Sequence, residues 1–143
     1  MTRWFPLALV AALLYGLHNV LTRAASGRIS DGAGALVLEG TAAIAIGVFV
    51  VIGALRGGEP VTLTSAGVAW SAAAGLCVGA GTLLYFMIFR AGGDLSAAAP
   101  TVLAGGSAIM VLAGWLIYRE PVSLTRILGV ALTVGGIALL RRG

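Results

Sequence analysis

The chain has 143 residues, of which 59% are hydrophobic and only 10% are charged, with a net charge of +4. A soluble domain carries about 25% charged residues to cover its surface, so most of the outer surface of this protein must contact lipid. All nine basic residues are Arg, and they lie singly or in pairs between apolar runs, where lipid headgroups explain them better than nucleic acid does. The one cysteine, Cys77, lies inside an apolar run and cannot form an internal disulfide.

Five apolar segments predict transmembrane helices, in chain order 4–23, 33–55, 64–90, 95–118 and 123–141. A bilayer core about 30 Å thick needs roughly 20 helical residues. The first segment is longer than the core of a signal peptide and contains polar residues, so we interpret it as a span rather than a cleaved leader. The fifth is the shortest and needs the Arg126 side chain to reach back to the membrane surface. The predicted fold is an all-α integral membrane protein with one five-helix domain, 1–143.

Two ionisable residues lie inside the predicted spans, Glu39 in the second and His18 in the first. A charge placed there costs about 2.5–3.5 kcal/mol on insertion scales, which makes both residues functional candidates. At a rise of 1.5 Å per residue, His18 lies roughly 8 Å and Glu39 roughly 9 Å from the same membrane surface. Asn19, Tyr85 and Thr101 fall in the same layer. Together these five residues predict a substrate- or proton-binding site.

Each of these residues also has a purely structural interpretation. Glu39 would hold two helices together if it paired with His18 or with an Arg. Tyr85 fits the aromatic belt at the membrane surface equally well. Thr101 follows Pro100, and its hydroxyl would then bond a backbone carbonyl one turn earlier. Both interpretations stay open at the level of the sequence.

The sequence carries no pattern of enzyme chemistry. It has one His, one Cys and no pair of neighbouring carboxylates inside the spans. It also lacks metal-ligand spacings and a glycine loop that would hold a phosphate. We therefore expect no catalytic residue, no metal and no cofactor.

From the third predicted span onward, the sequence resembles a known transporter repeat. The resembling residues are Gly75, Gly79, Tyr85, the runs 89–93, 96–100 and 118–121, and Leu124, Ile127, Gly129, Leu132, Gly135 and Gly136. The first helix adds a less specific likeness over 15–20. On these residues the chain resembles a single repeat of the EamA type, from the drug/metabolite transporter superfamily.

Most members of that superfamily join two such repeats, the second one inverted, into ten helices. The resemblance therefore implies that this chain forms one half of a ten-helix inverted-repeat transporter. The related small multidrug resistance proteins work as antiparallel dimers, and Gly129 and Gly136 resemble the glycine spacing at their dimer contact. The essential Glu of that branch lies in the first helix, whereas Glu39 lies in the second, so the drug-export chemistry does not carry over directly.

The expected function is transport of a small metabolite or drug-like molecule by alternating access, across the cytoplasmic (inner) membrane. The expected partners are a small-molecule substrate and the lipid bilayer, and no nucleic acid. Proton coupling through Glu39 is a further hypothesis, because a carboxylic acid inside a bilayer is able to exchange its proton for a cationic substrate.

Orientation in the membrane is weakly specified by the sequence. With five spans, one membrane side receives four Arg and the other receives five, and the imbalance of basic residues is what sets orientation. We therefore expect insertion in both orientations and an antiparallel homodimer. Two alternatives stay open: an accessory half that transports only with a paralogous partner, and a non-transporting membrane scaffold in which Glu39 and His18 form a structural pair.

Overall fold

The computed structural model describes residues 4–58, 60–121 and 123–140. The five helices are α1 (Trp4–Ala25), α2 (Asp31–Leu55), α3 (Ser65–Arg90), α4 (Leu95–Leu116) and α5 (Leu124–Leu140). The all-α prediction is confirmed, and the helix ends lie within two residues of their predicted positions. The predicted end of the fifth span, Arg141, lies outside the described residues.

Four helices, α1 to α4, are long and apolar enough to cross a membrane, which indicates a multi-pass membrane protein. They contain 22, 25, 26 and 22 residues. The fifth helix has 17 residues, so it is about 26 Å long and shorter than a bilayer core of about 30 Å. Its role as a fifth span stays a prediction.

Large apolar side chains cover the outside of α2. Phe49 and Leu55 are 79% and 82% exposed, respectively, and the most apolar 18-residue stretch of this helix contains no buried residue. The buried residues of α2 are Asp31, Gly34 and Ala35, all in its first two turns. Such a surface suits lipid, because lipid tails are as apolar as these side chains.

The chain divides into two compact units. Unit 1 comprises Met1–Asn19 and Gly92–Gly143, and unit 2 comprises Val20–Ala91. Within unit 1, α4 packs against α5; within unit 2, α2 packs against α3. The candidate residues are therefore described within the unit to which each belongs.

The connection between α2 and α3 shows why α2 ends and α3 begins at these residues. After Arg56 the chain turns at Gly57, whose φ of +72° is in the left-handed region that favours glycine. The next N–H, of Gly58, donates to the Gly53 carbonyl at 2.9 Å and closes the end of α2. At the start of α3, the Thr64 hydroxyl oxygen accepts a hydrogen bond from the Gly67 N–H at 3.1 Å, which caps the first turn.

Candidate functional site

An ion pair joins the start of α2 to the end of α3. Asp31 Oδ2 lies 2.8 Å from Arg90 Nη2, and the two side chains are 7% and 61% exposed, respectively. Because the first residue of one helix contacts the last residue of the other, the two helices run antiparallel. The second carboxylate oxygen, Asp31 Oδ1, is buried without a hydrogen-bond partner among the described residues.

One turn further along α2, the two helices approach closely around Phe86. This side chain is 1% exposed and lies against Gly34, where an added Cβ would be 2.5 Å from Cε1 of the ring. Only a glycine leaves room for the ring at that distance. The Phe86 carbonyl also accepts a hydrogen bond from the Ser26 hydroxyl at 3.2 Å, which ties the turn before α2 to α3.

The two helices meet a third time at Glu39 and Thr82. The Thr82 hydroxyl donates a hydrogen bond to Glu39 Oε1. Thr82 is 8% exposed, and Glu39 is half-buried. Glu39 follows Asp31 by eight residues on α2 and Thr82 precedes Arg90 by eight on α3, so this contact lies about 12 Å from the ion pair along both helices. The predicted start of this helix, residue 33, lies two residues after the observed start at Asp31.

Tyr85 follows Thr82 by one turn on α3. Its ring lies 5.6 Å from that of Phe89, centroid to centroid, and Phe89 is 2% exposed. The Tyr85 hydroxyl oxygen is buried and has no hydrogen-bond partner among the described residues. Leaving such a group unpaired costs about 1–3 kcal/mol, so it offers a donor and an acceptor to any ligand that reaches it.

The other predicted site residues belong to unit 1. The His18 ring lies 6.4 Å from the Tyr15 ring in an edge-on arrangement, and His18 is half-buried. Asn19 is 5% exposed, and its Nδ2 donates a hydrogen bond to the Tyr15 carbonyl at 2.9 Å. The side-chain amide of Asn19 therefore forms a hydrogen bond within α1 itself.

Thr101 is exposed on α4. Its hydroxyl donates to the Ala97 carbonyl, one turn earlier, at 2.7 Å. The structural interpretation of Thr101 predicted a hydrogen bond to a backbone carbonyl one turn earlier, and this hydrogen bond is present. The acceptor is not the carbonyl that Pro100 leaves unbonded, since the missing N–H of Pro100 would have reached Ser96.

The two glycines predicted at a dimer contact lie on α5. Gly129 is exposed and Gly136 is half-buried, and a Cβ added at either would meet open space. The dimer contact itself stays a prediction.

Glu39 lies on α2 and Tyr85 on α3, and the hydrogen bond from Thr82 to Glu39 connects these two helices. Sequence reasoning missed Thr82 and Asp31, because the sequence does not show which residues of α2 and α3 face each other. The layer that would combine Glu39 and Tyr85 with His18, Asn19 and Thr101 stays a prediction.

Among the residues that the structure describes, no group of three His, Cys, Asp or Glu side chains is arranged to hold a metal ion. Comparison with protein-family models, with curated proteins and with solved structures returns no match.

Proposed function

We propose that the protein transports a small molecule across the cytoplasmic membrane by alternating access, with Glu39 as the group that binds the substrate or a proton. The observation that carries this proposal is the Glu39 carboxylate inside a helix of spanning length, bonded to the Thr82 hydroxyl. Placing an ionisable side chain inside a membrane span costs free energy, and a role in binding the substrate or a proton accounts for that cost.

Within unit 2, the two acids of α2 have different kinds of partner. Asp31 pairs with the cationic Arg90, as a structural carboxylate commonly does. Glu39 instead accepts a hydrogen bond from a neutral hydroxyl within unit 2. A neutral donor orients the carboxylate without cancelling its charge, so the second carboxylate oxygen is able to accept a bond from a cationic or hydrogen-bond-donating substrate.

Tyr85 supplies the second polar group of the proposed site. Its hydroxyl is buried and unpartnered in the described chain, one turn from Thr82. A substrate that bonds this hydroxyl would satisfy it. Glu39 and Tyr85 together therefore fit a small molecule with at least one polar or cationic group.

The proposed assembly is an antiparallel homodimer of two EamA-like subunits, in which α5 serves as the fifth span. The resemblance to a single drug/metabolite transporter repeat supports this arrangement, and the near balance of Arg allows both orientations. An accessory half that needs a paralogous partner is the alternative within the same class.

The transport proposal is tested by reconstituting the purified protein in liposomes with a pH gradient. A thermal-shift screen against amines, amino acids and nucleosides first selects the substrate. We expect uptake of the selected molecule to exceed that of protein-free liposomes and to follow the gradient. Uptake that requires a co-reconstituted paralogue would identify an accessory half, and stabilisation without any uptake would identify a scaffold.

Orientation is tested by cysteine labelling in a Cys77→Ser background, because Cys77 is exposed on α3. The substitution Arg142→Cys introduces one thiol near the C-terminus of the sequence. If insertion is unbiased, a membrane-impermeant reagent should modify this thiol in about half of the molecules in intact cells. Permeabilised cells supply the value for complete labelling. Labelling of nearly all or nearly none of the molecules would show a single orientation and contradict the antiparallel homodimer.

A further inference from the structure

A groove of about 320 Å³ lies between the end of α4 and the start of α5, within unit 1. One wall is apolar and includes Met110, Trp115 and Ile127, and the polar side chains at the groove are Glu120 and Arg126. Met110 and Trp115 are 67% and 54% exposed. The groove therefore combines an open apolar wall with one acid and one base.

The backbone after α4 places Glu120 at this groove. Arg119 has a φ of +53°, which reverses the chain, and the Glu120 N–H then donates to the Gly114 carbonyl at 2.9 Å. Gly114 is buried, and a Cβ added there would lie 3.2 Å from Glu120 Oε2. A backbone turn that does not depend on the charge of the carboxylate thus places Glu120 beside the last turns of α4.

Arg126 is held at the groove from the other side. Its Nη1 donates to the Pro121 carbonyl at 3.0 Å and lies 3.7 Å from Glu120 Oε2, which is beyond hydrogen-bond distance. The two side chains are 56% and 59% exposed, respectively. An ion pair this exposed contributes little to stability, so a ligand that offers an opposite charge to each group replaces it at low cost.

The position of the groove determines where its ligand comes from. Because α4 is long and apolar enough to cross a membrane, its end lies near a membrane surface, where Trp is favoured. In a bilayer, this position would put the apolar wall beside the lipid tails and the charged pair beside the headgroups. A ligand that enters from the bilayer must therefore be apolar at one end and carry both charges at the other.

We propose that this groove binds phosphatidylethanolamine, with the primary ammonium of the headgroup on Glu120 and the phosphate on Arg126. The ammonium donates N–H bonds to the carboxylate, and the guanidinium donates to phosphate oxygens. A choline headgroup has no N–H to donate, and a glycerol headgroup brings no cation to Glu120. The acyl chains lie along the apolar wall.

The test is native mass spectrometry of the full-length protein, incubated with equal amounts of phosphatidylethanolamine, phosphatidylcholine and phosphatidylglycerol with identical acyl chains. We expect phosphatidylethanolamine to be retained about tenfold over the other two, as a charge-assisted hydrogen bond would give. Soluble phosphoethanolamine at equal concentration should not displace it, because it lacks the acyl chains. Equal retention of the three lipids, or displacement by the soluble headgroup, would overturn the proposal.

Three variants complete the test. Glu120→Gln should abolish the preference for phosphatidylethanolamine over phosphatidylcholine, whereas Arg126→Gln should lower the retention of all three phospholipids. Asp94→Asn is the matched control: it removes another exposed carboxylate, which does not line the groove, and it should leave the preference intact. An unchanged preference in Glu120→Gln, or its loss in Asp94→Asn, would contradict the assignment. Each variant must keep the elution volume of the unsubstituted protein, and the readout is independent of transport.

Discussion

Glu39→Gln is expected to lower gradient-driven uptake at least about tenfold, because the amide can neither carry the negative charge nor release a proton at this site. The substitution preserves the shape of the side chain. The amide oxygen is also still able to accept the hydrogen bond that Thr82 donates to Glu39. The packing between α2 and α3 should therefore survive while transport is lost. Uptake into liposomes with an imposed pH gradient measures the effect.

Asp94→Asn provides the matched control, since it removes one carboxylate from an exposed position before α4 where the side chain makes no capping hydrogen bond. Its uptake should stay close to that of the unsubstituted protein. Thr82→Val should fall between the two, because Glu39 keeps its charge but loses the donor that orients it. Full uptake in Glu39→Gln, with normal size-exclusion behaviour, would remove Glu39 from the mechanism.

Gly34→Ala is expected to destabilise the contact between α2 and α3 by about 1–3 kcal/mol, the usual cost of forcing an extra methyl group into a packed site. The added Cβ would lie 2.5 Å and 2.7 Å from Cε1 and Cζ of Phe86. The ring has little room to move, since Phe86 is only 1% exposed. A second substitution, Phe86→Leu, shortens the opposing side chain and should recover most of the loss. Thermal unfolding in detergent measures both changes.

Gly40→Ala is the control for this pair, because the same methyl group added on the same helix would meet nothing within 4 Å. It should be neutral or slightly stabilising, since Ala favours a helix over Gly by up to about 1 kcal/mol. If Gly34→Ala unfolds at the same temperature as Gly40→Ala, the close approach at Phe86 does not hold the two helices together. Failure of Phe86→Leu to rescue would point to a different source of strain.

Helix positions were readable from the sequence because strong local signals mark their ends. The glycines after Arg56 and the break around Gly92 and Asp94 interrupt the apolar runs, and hydropathy supplies the rest. The end of α4 was predicted two residues late, since Ile117 and Tyr118 extend the uncharged run as far as Arg119. What ends α4 is the turn of Arg119 into the left-handed region and the return of Glu120 to Gly114, which hydropathy does not reveal.

The candidate site was only partly predictable. Glu39 stands out in any sequence reading because an acid inside an apolar span is rare. Its partner Thr82 lies 43 residues away and is one of several Thr residues in apolar helices, so nothing local distinguishes it. Which Thr meets Glu39 depends on the register between α2 and α3. That register is set by the Asp31–Arg90 ion pair and by the fit of Phe86 against Gly34.

The antiparallel register of α2 and α3 limits where residues can be inserted into or deleted from these two helices. The Asp31–Arg90 and Glu39–Thr82 contacts are eight residues apart on both helices. One residue inserted between Asp31 and Glu39 would rotate Glu39 by about 100° around α2, away from Thr82. A compensating insertion in α3 would have to fall between Thr82 and Arg90. Related chains that keep both contacts should therefore vary in length in the connection between α2 and α3, and keep these two eight-residue intervals constant.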